Sequence, residues 1–105
     1  MIVKVKAFAN LREVFGGEIS IKLKERAVLK NLLSPVFLLP EAVEAIIDSE
    51  SGEIKPTILI LKNRRNIRFL GGLLTKLEDG DEVSIFPPLG VVNLLIRLRK
   101  LIYHL

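Results

Sequence analysis

The stretch LEDGDEVSIFPPLG, residues 77–90, decides how this chain folds. Asp79-Gly80-Asp81 is turn chemistry: short polar side chains that bond nearby backbone, around a residue without a Cβ. It runs directly into EVSIF (82–86), where Val83 and Ile85 share one face and Ser84 and Phe86 the other. Pro87-Pro88 then ends the strand, because proline brings no N–H to a ladder. A strand with one apolar face needs partners, and the sequence on either side offers them.

Residues 2–8, IVKVKAF, alternate in the same way: Val3, Val5 and Ala7 point to one side, Ile2, Lys4, Lys6 and Phe8 to the other. After Gly16-Gly17, EISIKL (18–23) alternates again with Ile19, Ile21 and Leu23 together, which predicts an opening antiparallel hairpin. AVLKNLL (27–33) is the first helical candidate, ended by Ser34-Pro35. A second piece, PEAVEAII, starts on Pro40 and closes at the polar cluster Ser49–Gly52. TILILK (57–62) is a nearly continuous apolar run and reads as a central strand. Asn63-Arg64 turns the chain into a short strand within NIRFL, and Gly71-Gly72 marks a loop. The expected class is α+β, one mixed sheet packed on one main helical region.

Composition narrows the chemistry. At 105 residues the chain supports a single modest core, and without cysteine it has no disulfide, thiolate nucleophile or cysteine-held metal. A cytoplasmic protein is the expectation, since MIVKVKAFA has no continuous apolar segment of a signal peptide. The net charge of +4 does not point to nucleic acid. Arg97, Arg99 and Lys100 lie past Gly90, leaving 13 basic against 12 acidic residues before it. Lys62, Arg64, Arg65 and Arg68 cluster at a turn and read as a solvated basic hairpin.

No side-chain active site emerges. The one histidine, His104, stands near the end of the chain, away from any nucleophile and acid that would make a triad. Glu41/Glu44 suit a helix start, and Asp79, Asp81 and Glu82 suit a turn, so neither group calls for catalysis or a metal. Two aromatics stand out instead. Phe8 and Phe86 both fall on the polar face of their strands, where they mark either a protein interface or a surface covered by the chain's own tail.

AFANLREVFGG (7–17) and NIRFLGGLLTKLEDGDEVSIFPPLG (66–90) resemble the MoaD/ThiS family of ubiquitin-like sulfur carriers, and within it most closely the small subunit of molybdopterin synthase. The resemblance covers residues 1–90 and implies a β-grasp fold. It also implies a non-catalytic carrier subunit, without bound cofactor, whose reactive group is its own C-terminal glycine. An E1-like enzyme uses ATP to adenylate that carboxylate, a sulfur donor converts it to a thiocarboxylate, and the synthase large subunit consumes the sulfur. Glycines suit this task because a tail without Cβ atoms enters a narrow site in extended form. Carried over by motif, the partner-binding residues are Phe8, Ile67, Phe86, Pro87 and Pro88, with Gly90 as the carrier glycine after processing.

The sequence departs from the family pattern where the pattern matters most. In place of a terminal Gly-Gly it reads Leu89-Gly90-Val91-Val92, so a glycyl thiocarboxylate requires cleavage after Gly90. The turn LKNRRNI also has Arg64 where glycine is usual, with Asn63 beside it to take the unusual backbone angles. Residues 91–105 form a second segment. Asn93, Arg97, Lys100 and His104 are spaced as one helical stripe, and Leu94, Leu95, Leu98, Leu101 and Ile102 belong to a wide apolar face. Such a helix, roughly 22 Å long, is too short to span a bilayer. It is expected to pack on protein, over the sheet or in a homo-oligomer, with an anionic membrane surface or removal by processing as the other outcomes. Two functions follow: a sulfur carrier for molybdopterin synthesis, or a ubiquitin-like interaction module inactive as a carrier.

Overall fold

The computed structural model describes residues 1–8, 17–38 and 40–86. In chain order these form β1 (Ile2–Ala7), β2 (Glu18–Lys22), α1 (Leu29–Leu32), α2 (Pro40–Ile46), β3 (Leu59–Lys62), β4 (Arg65–Asn66) and β5 (Glu82–Phe86), with 3-10 turns at Ile67–Phe69 and Gly72–Leu74. The strands make one sheet in the order β2-β1-β5-β3-β4. β1 and β5 run parallel, with Val5 beside Val83 and Ala7 beside Ile85. The β1–β2, β3–β5 and β3–β4 pairs are antiparallel. This mixed five-strand sheet, entered by a hairpin and completed by its last strand in the middle, is the β-grasp arrangement of ubiquitin-like α+β proteins.

The core lies on the face that the alternation predicts. Val3, Val5, Ala7, Ile21, Ile60, Val83 and Ile85 are buried there, against Leu29 and Leu32 of α1 and Ala42 and Ile46 of α2. Burying an aliphatic side chain of this size contributes about 1.5–3 kcal/mol, so this layer dominates the favourable side of folding.

The helical region comes in two short pieces. α1 ends at Leu32, before Ser34, and the Phe37 and Leu38 N–H groups both bond the Ser34 carbonyl in the turn that follows. α1 is held at its start by a side-chain cap from Asn31 and by backbone bonds to the 75–77 segment. The Val28 N–H donates to the Asn31 side chain at 2.8 Å, Leu29 N–H to the Thr75 carbonyl, and Leu77 N–H to the Ala27 carbonyl. α2 begins on Pro40, with Glu41 in its first turn, and its exit is closed where the Asp48 carboxylate accepts the Glu50 and Ser51 N–H groups.

Two expected strands are corrected. The run 57–62 is regular only over Leu59–Lys62, because Ile58 N–H closes a turn on Lys55. It is an interior strand, but the centre of the sheet is β5. NIRFL keeps strand geometry only at Arg65–Asn66, and then coils. The connecting turn is a two-residue reversal in which both Asn63 (φ 48°) and Arg64 (φ 70°) are left-handed, the pattern that matches sheet twist. Asn63 is pinned there: its side chain donates to Asp81 Oδ1 at 2.8 Å and accepts the Glu82 N–H at 2.9 Å.

Asp81 ties this end of the sheet together. It is 6% exposed, accepts the Glu78 N–H at 2.7 Å, and lies 3.5 Å from Lys62 Nζ. The turn before it uses Gly80 at φ 84°, whose N–H reaches the Ile2 carbonyl, while the Asp79 carboxylate takes the Ile2 N–H. The helix expected over residues 91–105 lies outside the described residues.

Candidate partner-binding surface

The outer face of the sheet carries the residues that alternation leaves away from the core. Along β1 these are Ile2, Lys4 and Lys6, continued by Phe8, whose N–H bonds the Ile85 carbonyl and prolongs the parallel ladder. Along β5 they are Glu82, Ser84 and Phe86. Because β1 and β5 are parallel and in register, Phe8 and Phe86 arrive at the same end of the face. Their rings stack with centroids 4.3 Å apart and planes 8° from parallel. Leu59 of β3 lies opposite Phe86 on the other side and is 39% exposed, beside 38% for Phe8. Three adjacent strands thus place Phe8, Phe86 and Leu59 side by side, where the chain leaves β5 toward Pro87.

The middle of the face is charged. Lys6 pairs with Glu82 at 3.3 Å and Lys4 with Glu18 at 3.2 Å. Exposed pairs like these contribute little to stability, about 1 kcal/mol at most. They separate the Phe8–Phe86–Leu59 patch, next to the chain exit, from Ile2 at the opposite end of β1.

Ile67 does not belong to this surface. It is 2% exposed and part of the core. The Asn66 side chain accepts the Arg68 N–H at 3.0 Å and coils the backbone into the 3-10 turn, which turns Ile67 inward and leaves Phe69 outside at 87% exposure. Leu59 occupies the third place that Ile67 was expected to fill. Its outward position is hidden in the sequence because TILILK is apolar at nearly every position, so no alternation singles it out. Pro87, Pro88, Gly90, Leu94, Leu95, Leu98, Leu101 and Ile102 lie outside the described residues.

The basic cluster is partly committed to structure. Lys62 donates to the Lys76 carbonyl at 2.9 Å besides meeting Asp81, and Arg68 donates to the Pro56 carbonyl at 2.8 Å. Arg64 and Arg65 remain exposed at the hairpin. Among the described residues no group of three or more acidic or histidine side chains is placed to hold a metal ion, and no helix is long and apolar enough to cross a membrane.

A five-strand β-grasp sheet with an apolar patch where its last strand ends places the chain among ubiquitin-like proteins. The chain belongs to the ThiS family, whose model matches residues 5–90. It is 36% identical over 95 residues to small archaeal modifier protein 3 of Haloferax volcanii, covering 84% of this chain and 96% of that protein. It is 32% identical over 87 residues to a putative sulfur carrier protein of Archaeoglobus fulgidus, covering 83% of this chain and 94% of the relative. Among solved structures it resembles a putative molybdopterin converting factor, subunit 1, from Pyrococcus furiosus, with TM-score 0.63 and 29% identity over 84% of this chain and 98% of that one. The protein is therefore a small sulfur-carrier or modifier-type member of the ThiS family. Residues 91–105 lie beyond the family match.

Proposed function

We propose that this protein carries sulfur for molybdopterin synthesis as a thiocarboxylate on Gly90. The observation that carries this reading is the placement of Phe8, Phe86 and Leu59 at the end of β5, beside the chain exit toward Gly90. A partner that grips this patch receives the following residues directly into its own active site. The motif LEDGDEVSIFPP and the likeness to the Pyrococcus furiosus converting factor support the molybdopterin role.

The chemistry belongs to the chain end. With residues 91–105 removed, the Gly90 carboxylate attacks the α-phosphorus of ATP in an E1-like enzyme, forming an acyl-adenylate and releasing pyrophosphate. A donor supplying hydrosulfide then attacks the acyl carbon, AMP leaves, and a thiocarboxylate remains. The molybdopterin synthase large subunit docks on Phe8, Phe86 and Leu59, with Pro87 and Pro88 directing the tail, and takes the sulfur. The carrier itself binds no cofactor, and ATP is consumed by the activating partner.

The sequence Gly90-Val91-Val92 favours a second reading, in which the chain is never cut and serves as a ubiquitin-like interaction module with residues 91–105 covering the patch or joining two copies. Reconstitution separates the two. Full-length chain and a chain ending at Gly90 are each incubated with E1-like enzyme, ATP and sulfide, then with the large subunit and the pterin precursor. The carrier reading expects a thiocarboxylate and molybdopterin from the chain ending at Gly90. Formation of neither product overturns it.

A further inference from the structure

The sheet has one long edge, β2, and among the described residues no strand pairs with its outer side. The direction of its backbone groups follows from the β1 ladder. Met1 and Leu23 exchange both hydrogen bonds, at 2.9 and 2.8 Å, and Ala7 N–H bonds the Gly17 carbonyl. In an antiparallel ladder bonded and non-bonded positions alternate, so Gly17, Ile19, Ile21 and Leu23 face β1. Glu18, Ser20 and Lys22 therefore direct their N–H and C=O groups outward.

An unpaired edge of this kind templates another strand unless the sequence blocks it. Over Glu18–Lys22 there is no proline or glycine, and the positive φ at Gly17 comes before the strand. The charges do not repel a second copy of the same strand. Glu18-Ile19-Ser20-Ile21-Lys22 is self-complementary about Ser20: reversed end for end, each Glu18 meets a Lys22.

We propose that β2 pairs antiparallel with β2 of a second copy of this chain, in the register that sets Ser20 opposite Ser20. In that register Glu18, Ser20 and Lys22 of each copy satisfy all of their outward backbone groups. Glu18 stands opposite the second copy's Lys22 at both ends, on the outer face where both side chains are exposed. Ile19, half-buried in one copy, meets Ile21 of the other on the core face. The two-fold axis passes midway between the two Ser20 residues, perpendicular to the sheet, so both Phe8–Phe86 patches look to the same side and stay uncovered. Such a contact is small, below about 1,200 Å², and the dimer is a reversible one. It does not depend on residues 91–105 or on carrier activity.

The test uses the full-length chain in sedimentation equilibrium from micromolar to millimolar concentration. Wild type is expected to dimerise with rising concentration. Ser20→Pro removes one outward N–H without touching the β1 ladder, and is expected to stay folded and monomeric. Glu18→Lys and Lys22→Glu each oppose like charges twice, which lowers the association constant roughly tenfold or more. Mixed together, these two variants restore both opposite-charge pairs and dimerise with each other. A wild type that stays monomeric at millimolar concentration overturns the proposal. So does a dimer that survives Ser20→Pro, or a mixture of the two charge variants that fails to associate.

Discussion

Phe8 and Phe86 stack face to face at 4.3 Å across the parallel strands β1 and β5, the two strands farthest apart in sequence. The contact exists only when the last strand has inserted beside the first. It forms at the point where the chain departs, so the same event that completes the sheet also assembles the patch. An aromatic pair of this kind is worth about 0.5–1.5 kcal/mol beyond the area it buries.

Phe86→Ala is expected to lower stability by about 1–2 kcal/mol, from the lost stack and partial burial. If the patch is the proposed docking surface, the substitution's effect on binding to the proposed partner, a molybdopterin synthase large subunit, is expected to be larger, more than tenfold, because an aromatic anchor in an interface commonly costs at least about 2 kcal/mol when truncated. Calorimetric titration alongside chemical denaturation separates the two effects.

Leu59 and Ile67 should behave oppositely. Ile67→Ala empties a core position and is expected to cost about 2–5 kcal/mol of stability. Leu59→Ala, at a half-open position beside Phe86, is expected to cost less than about 1.5 kcal/mol while weakening partner binding. Urea midpoints for both variants, with the same binding titration on Leu59→Ala, check the assignment.

The reversal at Asn63-Arg64 predicts a stabilising substitution. Arg64 holds φ 70°, which costs a side-chain-bearing residue roughly 1–2 kcal/mol. Arg64→Gly removes that cost, and less the greater chain entropy of glycine, thermal unfolding should shift upward by the equivalent of about 0.5–1 kcal/mol. Asn63→Ala should destabilise, because it also removes the bonds to Asp81 and the Glu82 N–H.

Asp81 is a buried carboxylate with three partners: the Glu78 N–H, the Asn63 amide and the Lys62 ammonium. Asp81→Ala leaves the Glu78 N–H and the Asn63 amide without that acceptor, while Lys62 keeps the Lys76 carbonyl, and is expected to cost about 2–4 kcal/mol. Asp81→Asn keeps the shape and one acceptor oxygen, and should fall between it and wild type in urea denaturation.

The strands were legible where one face is buried and the other wet. Val3, Val5 and Ala7, and again Val83 and Ile85, follow the period of two and occupy the core as that period requires. Phe8 and Phe86 were readable as outward-facing for the same reason. The parallel pairing of β1 with β5 is not readable from alternation, since it joins segments that share no turn. Motif matching alone places Ile67 on the outer surface; Asn66 coils the backbone into a 3-10 turn through one side-chain bond and turns Ile67 inward. Leu59 went unrecognised because an apolar run on both faces has no phase to read.

The carrier role stands on the fate of Gly90, and intact-mass measurement of the protein from its native cell tests it most directly. The expected species ends at Gly90, with a fraction heavier by the exchange of one oxygen for sulfur. Only uncut chain continuing through Val91-Val92, unmodified even in the presence of E1-like enzyme and ATP, would contradict a thiocarboxylate carrier.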